Sequence, residues 1–321
     1  MTERSGMWTS TTGISVAFGT PRKLPRPRDL IGRVAVLDIA FASESGGSKN
    51  AFEHTTLNFI DALGPRLAAW VDHHDSVHHQ RFAGDLRFLL TTKSEHGACP
   101  ELVTPEVVAN AGVVNTIVCH TDFDGLASAA KWLRGGVEPY PGCDDDARAI
   151  DTRKGTPGPI ALLCDRAIRA RPRDEGVLCA ILDVLTEHRV EAAWPIIESA
   201  AEEARPREEA AGRLAVHYEN AARELVLIDI EAAKRPEPYD KTWLLLLGQG
   251  LATMAVVVDG DTATFAAAYD SGVDFLQRFG LSGGMPTMVS IHRGRLSEAL
   301  RSLGAEDAIV LRYALEPTTT S

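Results

Sequence analysis

The sequence predicts an α/β fold in two domains, the larger one built on a mostly parallel sheet flanked by helices. Strand-type runs, mostly apolar rather than alternating, recur between helix-type segments at 33–37, 67–71, 86–91 and 113–119. Mostly apolar strands are typical of a parallel sheet that is buried on both faces. Later in the chain, strand-type runs separated by Gly or Asp-Gly turns predict a smaller α/β domain with a mixed sheet. A length of 321 residues is enough for two such domains.

The larger domain is predicted over residues 31–195, after an irregular, proline-punctuated arm at 1–30. A loop at Gly46-Gly47-Ser48, with Ser48 as a helix cap, precedes an amphipathic segment. Thr104-Pro105 is a typical helix start, because Thr caps the first turn and Pro fits within it. The remaining predicted helices lie at 51–63 and 126–133, with two more inside 158–187 that are split near Arg171-Pro172-Arg173.

The smaller domain is predicted over residues 241–321, after a connecting helix and linker at 196–240. The connecting helix itself is predicted from the stretch rich in Ala, Glu and Arg at 206–233. Strands are expected at 242–247, 252–258 and 262–269 and near Val289 and Ile309, and helices ending at Gly280 and spanning 297–303.

Composition narrows the function classes. The net charge of −11 lacks the basic excess with which proteins hold long nucleic acid, so no long duplex is expected as a partner. No apolar run is long enough to span a membrane, and the N-terminus lacks a signal-peptide core. The cysteines form no Cys-x-x-Cys pair, which is typical of reduced thiols. A cytoplasmic protein without a membrane partner is therefore expected.

Acidic and imidazole side chains fall where three of the predicted strands end. Asp38 ends the first strand, Asp72-His73-His74 ends the second, and His120-x-Asp122-x-Asp124 ends the fourth. Parallel strands place these ends at one sheet edge, so the groups can converge. Carboxylates in one cleft repel one another unless cations lie between them, and the mixture with His suits Mn²⁺. Two such ions could clamp a phosphate, which predicts hydrolysis of a phosphoester or phosphoanhydride.

These motifs resemble those of the DHH phosphoesterase superfamily, which includes RecJ-like exonucleases, oligoribonucleases and cyclic-dinucleotide phosphodiesterases. The resemblance is carried by Val71-Asp72-His73-His74 and by His120-Thr-Asp122-Phe-Asp124-Gly125. It implies that Asp38 bridges two metal ions, with His120 and Asp122 on one ion and Asp124 and His73 on the other. It further implies that Asp72 supports His73, and that His74 faces the phosphate or leaving group as an acid or hydrogen-bond donor.

The resemblance leaves some positions open. A further metal-binding aspartate normally follows the DHH turn; Asp151 is preferred and Asp183 is the reserve. The smaller domain resembles the DHH-associated domain, whose glycine-rich loop meets the substrate. The residues expected to contact substrate are Gly283, Gly284, His292 and Arg293, together with Arg153 beside Asp151.

Two departures from the family pattern stand out. The His-x-Asp-x-Asp element follows the DHH turn here, whereas it usually precedes it, as if the domain were permuted. The glycine-rich loop reads Gly283-Gly284-Met285-Pro286, where many members have Gly-Gly-His. The first departure leaves the site chemically possible, because convergence at strand ends does not depend on chain order. The second departure places Met285 where many members have that histidine.

The sequence therefore predicts a cytoplasmic, nuclease-like phosphodiesterase with two Mn²⁺ ions in a cleft between the domains, Mg²⁺ or Co²⁺ being the alternatives. Its expected substrate is small and phosphorylated, such as a short oligonucleotide, a nucleotide or a cyclic dinucleotide. A DHH-like protein that binds a nucleotide or metal without turnover is one alternative. A haloacid dehalogenase-type phosphatase is another, since Asp122-Phe-Asp124-Gly125 also fits its first motif and Asp144-Asp145-Asp146 could mimic a later one. The oligomeric state stays open, a homodimer included.

Overall fold

A computed structural model describes residues 7–44, 49–233 and 237–314. The described residues up to Ala42 form one compact unit with Asn50–Glu203, and those from Ala204 onward form a second with the described part of Ser43–Lys49. Both units are α/β, which confirms the predicted fold class. The predicted loop at Gly46-Gly47-Ser48, its cap Ser48 and the predicted linker residues 234–236 lie outside the described residues, as do the two chain ends.

The first unit is built on a sheet in the order β1-β2-β7-β3-β4-β6. Its strands are β1 (Trp8–Thr9), β2 (Ser15–Phe18), β3 (Val34–Leu37), β4 (Leu67–Asp72), β6 (Phe88–Leu90) and β7 (Thr116–Cys119), and β5 (Asp75–Ser76) is a short extended segment after β4. The strands from β2 to β6 in that order pair in parallel, and β1 alone pairs antiparallel with β2. The carboxyl ends of the parallel strands therefore share one edge, as predicted.

Helices cover both faces of this sheet. A wide helical turn (Phe52–Leu57) leads into α1 (Asn58–Leu63), followed by α2 (Pro105–Ala111), α3 (Phe123–Leu133), α4 (Cys143–Thr152), α5 (Pro159–Ala170), α6 (Glu175–Leu185) and α7 (Val190–Glu202). Neighbouring strand residues point to opposite faces, so Val36 packs in the core that includes α1 while Leu37 packs in the core that includes α3. Both faces of the sheet are covered by helices, so the strands carry apolar side chains on both sides.

The prediction of an irregular N-terminal arm is wrong for Ser15–Phe18. These residues form β2, whose parallel partner β7 lies about a hundred residues later, with Ser15 opposite Thr116. A four-residue run among Gly, Ser and Thr carries little local signal, and its stability comes from this distant pairing.

The second unit contains a mixed sheet in the order β13-β11-β10-β9-β8, in agreement with the prediction. Its strands are β8 (Glu219–Ala222), β9 (Leu225–Asp229), β10 (Met254–Asp259), β11 (Thr262–Ala267) and β13 (Met288–His292), with β12 (Gly283–Gly284) as a short extended segment. β9 and β10 are parallel, and the other neighbours are antiparallel. The helices are α8 (Ala204–Ala215), α9 (Lys241–Gln249), α10 (Phe275–Phe279), α11 (Leu296–Ser302) and α12 (Asp307–Ala314).

Three predicted elements of the second unit are wrong. The connecting helix expected over 206–233 ends at Ala215, and the remainder supplies β8 and β9. The strand expected at 242–247 is α9, whose first turn is capped by Asp240 through a 2.9 Å bond from the Trp243 amide. The strand expected near Ile309 is α12. Short apolar runs fit a buried strand or a buried helix equally well, so caps and tertiary packing decide between them. No helix in the described parts of the chain is both long and apolar enough to cross a membrane.

Candidate metal centre

Asp38 follows β3 directly, at the carboxyl edge of the sheet. It is a non-glycine residue with a φ of 57°, held by a 2.9 Å hydrogen bond from its amide to the Val71 carbonyl. The residue is 1% exposed, and within the described residues neither carboxylate oxygen has a hydrogen-bond partner. Burial raises the pKa of Asp38 well above its ordinary value, and the Asp124 and Asp122 carboxylates raise it further. A buried carboxylate without donors is unfavourable unless a cation compensates it.

His120 and Asp122 approach Asp38 from the end of β7. The Nδ1 atom of His120 lies 2.6 Å from Asp122 Oδ2, without the alignment of a hydrogen bond, and 3.8 Å from Asp38 Oδ2, beyond hydrogen-bond distance. Burial opposes protonation of His120, but the Asp122 carboxylate outweighs it and raises the pKa of His120. Asp122 also caps α3 through a bond from the Gly125 amide. We call Asp38, His120 and Asp122 site A; one donor atom from each lies within 4.8 Å of the others.

Gly125 allows the turn between β7 and α3 to close tightly. A Cβ atom at this position would lie 2.8 Å from both the Cβ atom and the carbonyl oxygen of His120. Real Cβ atoms do not approach that closely, so a larger residue would displace His120. The glycine of the Asp-x-Asp-Gly pattern is thus required by close packing against His120, a residue of site A.

A second group of side chains lies beside the first. His73 Nε2 is 3.3 Å from Asp38 Oδ1, 3.3 Å from Asp124 Oδ2 and 3.9 Å from Asp151 Oδ2. We call His73, Asp124 and Asp151 site B; their donor atoms also lie within 4.8 Å of one another. Burial would raise the pKa of Asp124, but the neighbouring His73 imidazole and Lys93 ammonium outweigh burial and lower it well below its ordinary value.

The expected support of His73 by Asp72 is wrong. The Nδ1 atom of His73 lies 2.9 Å from the carbonyl oxygen of His96, whereas Asp72 Oδ1 lies 2.9 Å from Nδ1 of His74. Alternation along the chain is the reason, because Asp72 and His74 point to the same side and His73 to the other. His74 also lies near Asp38, with Nδ1 3.8 Å from Oδ1.

Lys93 is the residue that sequence reasoning missed. It follows β6 by three residues and is only 2% exposed. Its Nζ atom lies 3.0 Å from His73 Nε2 and hydrogen-bonds Asp151 Oδ2, which places an ammonium group inside site B. The sequence offers one indication of this role: Lys93 follows the third predicted strand, so it lies at the same edge of the sheet as the other site residues. A lysine between Thr92 and Ser94 instead looks like a solvated loop residue.

The two candidates for the further aspartate lie in different places. Asp151, near the end of α4, belongs to site B. Asp183, in α6, accepts a 2.8 Å hydrogen bond from the Trp8 indole and lies 3.0 Å from His188 Nδ1. Asp183 therefore tethers the N-terminal segment to α6 and takes no part in either group.

The predicted substrate contacts are not part of sites A or B. Arg153 pairs with Asp165 at 3.4 Å. In the second unit, Arg293 bonds Asp229 at 3.0 Å, and His292 Nδ1 accepts a bond from the Gly294 amide. The glycine pair forms β12, where Gly284 has a φ of 130° that favours glycine. Contact of these residues with substrate stays a prediction.

The acidic run that could mimic a haloacid dehalogenase motif is engaged elsewhere. Asp144 bonds the Lys131 ammonium, and Asp146 accepts from the Tyr140 hydroxyl and the Gly158 amide. Within the described ranges, no group of potential metal ligands includes a residue of this run. The geometry therefore gives that alternative no support.

Comparisons with known proteins add little to this geometry. No protein-family model matches the sequence, and no curated protein matches it significantly. Among solved structures, the chain is similar to PggH, described as a pGpG-specific phosphodiesterase from Vibrio, with a TM-score of 0.40 and 11% sequence identity. That match covers 89% of this chain and all of the other. A likeness this distant indicates nothing about activity.

Proposed function

We propose that this chain is a divalent-metal-dependent phosphoesterase that hydrolyses a small phosphodiester or phosphoanhydride, such as a short oligonucleotide, a nucleotide or a cyclic dinucleotide. The observation that carries the proposal is the carboxylate of Asp38, which is buried without a hydrogen-bond partner in the described structure. It lies where side chains from three strand ends converge. The resemblance of the same residues to the DHH motifs supports the same reaction.

The donor atoms of site A fit a divalent ion. Asp38 and Asp122 supply carboxylate oxygens, and His120 supplies an imidazole nitrogen that is near both without hydrogen-bonding either. Mixed oxygen and nitrogen ligands suit Mn²⁺ and its first-row neighbours better than Ca²⁺. When bound, such an ion supplies positive charge beside a phosphate and makes water a better nucleophile at neutral pH.

His74 is placed to take up a proton. Burial would raise the pKa of Asp72, but the charge and hydrogen bond of His74 outweigh burial and lower it, so Asp72 is ionised. An ionised carboxylate only accepts, so His74 must donate from Nδ1, which leaves the Nε2 lone pair available. Burial lowers the pKa of His74 despite Asp72, so the ring is neutral at neutral pH. His74 therefore acts as a proton acceptor, and the acid role expected from the sequence needs it to be protonated first.

A pocket beside site A suits a small substrate. It has a volume of about 240 Å³, and its lining includes Phe18, Leu24 and Thr121. Thr121 lies between His120 and Asp122 of site A in the sequence. Lys23 and Arg173 also line it and offer positive charge to a second phosphate or to a base edge. A pocket of this size admits about one nucleotide and no duplex. It supports the proposed preference for small substrates.

The decisive experiment measures hydrolysis of bis-p-nitrophenyl phosphate and of a dinucleotide after EDTA treatment and reconstitution with Mn²⁺, Mg²⁺ or Co²⁺. We expect turnover only with metal, and its loss in His120→Ala. Asp183→Asn is the matched control, because this buried aspartate lies outside both groups and should retain activity. Full activity without metal, or in His120→Ala, would contradict the proposal. Metal binding without turnover on any substrate would favour the binding-only alternative.

A further inference from the structure

Sites A and B differ in their relation to Lys93, whose ammonium lies within site B. Site B already contains the ammonium of Lys93, which is 2% exposed. Lysine is almost never fully buried unless it is paired, so a lysine in this position has specific partners. The backbone of Lys93 is also fixed, because its amide donates to Asp75 Oδ2 at 3.2 Å.

The partners of Lys93 are the same atoms that a metal ion would need. Nδ1 of His73 donates to the His96 carbonyl, so the remaining Nε2 atom carries the lone pair. That lone pair faces Lys93 Nζ at 3.0 Å. Asp151 uses Oδ2, its site B donor atom, to accept from the same ammonium. One nitrogen lone pair cannot serve an ammonium and a metal ion together, so the site B donors do not fit an ion while Lys93 is in place.

The donors of site A are free of this competition. Within the described residues, neither oxygen of Asp38 nor Nδ1 of His120 makes a hydrogen bond, and both are buried. The donor atoms of site A are thus available to an ion, whereas His73 Nε2 and Asp151 Oδ2 of site B already face a fixed ammonium.

We propose that the chain binds a single divalent ion, at site A, and that the Lys93 ammonium takes the place of a second ion at site B. This departs from the two ions expected from the sequence. It rests on the proposed function only in assigning site A to a metal. Lys93 is a positioning residue in this arrangement: it neutralises Asp151 and Asp124 and keeps His73 from binding an ion.

The test counts Mn²⁺ ions in the intact protein by equilibrium dialysis with metal analysis, and inspects the bound Mn²⁺ by electron paramagnetic resonance. The wild type is expected to bind one ion per chain, with a signal free of exchange coupling. Lys93→Met, which keeps the length and removes the charge, is expected to bind two ions and to show a coupled signal. Lys131→Met is the control, because this second buried lysine contacts Asp144 and the Pro100 carbonyl and should leave the count at one.

Each outcome bears on a different claim. Two ions in the wild type overturn the single-ion proposal while leaving the proposed hydrolase intact. One ion in both the wild type and a folded Lys93→Met overturns the role of Lys93. Binding of no ion by the wild type overturns this proposal and the proposed function together. If Lys93→Met fails to fold by circular dichroism, Lys93→Gln replaces it, and the wild-type count alone still decides the number of ions.

Discussion

Sites A and B lie at one sheet edge and contain similar side chains, but their buried carboxylates have different surroundings. In site A the carboxylate of Asp38 is buried with no hydrogen-bond partner in the described structure. In site B the carboxylates of Asp124 and Asp151 face a buried ammonium and an imidazole. Clustered carboxylates need positive charge nearby, and a lysine can supply it permanently where a metal ion supplies it reversibly. The difference shows that donor identity alone does not reveal which position binds an ion.

The largest expected effect is the difference in Mn²⁺ affinity when one carboxylate of each site is replaced by an amide. Asp38→Asn should weaken Mn²⁺ binding by more than about 100-fold, since loss of an outer-sphere partner alone often costs 10–100-fold. Asp151→Asn should retain one ion with nearly unchanged affinity, because Asp151 serves Lys93. Isothermal titration calorimetry measures both. Equal losses in the two variants would remove the distinction between the sites.

A smaller loss is expected when the Asp72–His74 pair is broken. Asp72→Asn keeps the shape of the side chain but removes the charge that fixes the His74 tautomer, so kcat should fall by about 10–100-fold. Metal affinity should stay close to that of the wild type, because neither residue belongs to site A. The measurement is kcat as a function of pH alongside the Mn²⁺ dissociation constant. A change confined to metal affinity would show that the pair serves the metal and not proton transfer.

The polar residues at the sheet edge could be predicted because chemistry and strand order are both visible in sequence. Asp38, His73, His120 and Asp124 each follow an apolar run, and parallel pairing brings such ends together. Lys93 could not be recognised, because its burial depends on Asp151 and His73, which lie far away in sequence. The predicted partner of Asp72 is wrong because the family resemblance implies His73, whereas side-chain alternation along the chain places Asp72 and His74 on the same side.

The fold shows the same division between local and distant information. The strands of the first unit were predicted where a long apolar run made them evident, and β2 was missed because its only strong signal is its pairing with β7. In the second unit, the apolar residues of the Leu-rich run of α9 fit a buried strand, although Asp240 offers a helix cap. The helix cap can be recognised in the local sequence, whereas the pairing of β9 with β10 cannot.

The pH dependence of stability tests the unpaired charge of site A. The pKa of Asp38 is raised by burial and by the Asp124 and Asp122 carboxylates, so folding favours its protonated form. Its stabilising contribution is complete below the ordinary carboxyl pKa of about 3.8 and is lost as pH rises through the raised value. Metal-free protein should therefore gain more melting temperature from Mn²⁺ at pH 8 than at about pH 5.

Asp38→Asn provides the matching control for this effect. Without metal it should be more stable than the wild type at neutral pH, by about 1–3 kcal/mol, because the amide carries no buried charge. The Mn²⁺-induced rise in melting temperature should disappear at every pH. A metal-free wild type that is as stable as Asp38→Asn across this range would show that Asp38 is compensated in some other way.

The smallest effect is expected at the pocket beside site A. Arg173→Ala removes an exposed positive charge from the lining, and exposed charge pairs contribute only about 0.2–1 kcal/mol. KM for a dinucleotide should rise by no more than about fivefold with kcat unchanged. Arg171→Ala is the control, because Arg171 pairs with Glu203 and does not line the pocket. An unchanged KM in Arg173→Ala would place the substrate elsewhere.

The most direct test of the contrast between the two sites is anomalous scattering from crystals grown with Mn²⁺. We expect one anomalous peak per chain, coordinated by Asp38, His120 and Asp122, with Lys93 Nζ still against His73 and Asp151. A second peak among His73, Asp124 and Asp151, with Lys93 turned away, would contradict the assignment of Lys93 as the fixed cation of site B.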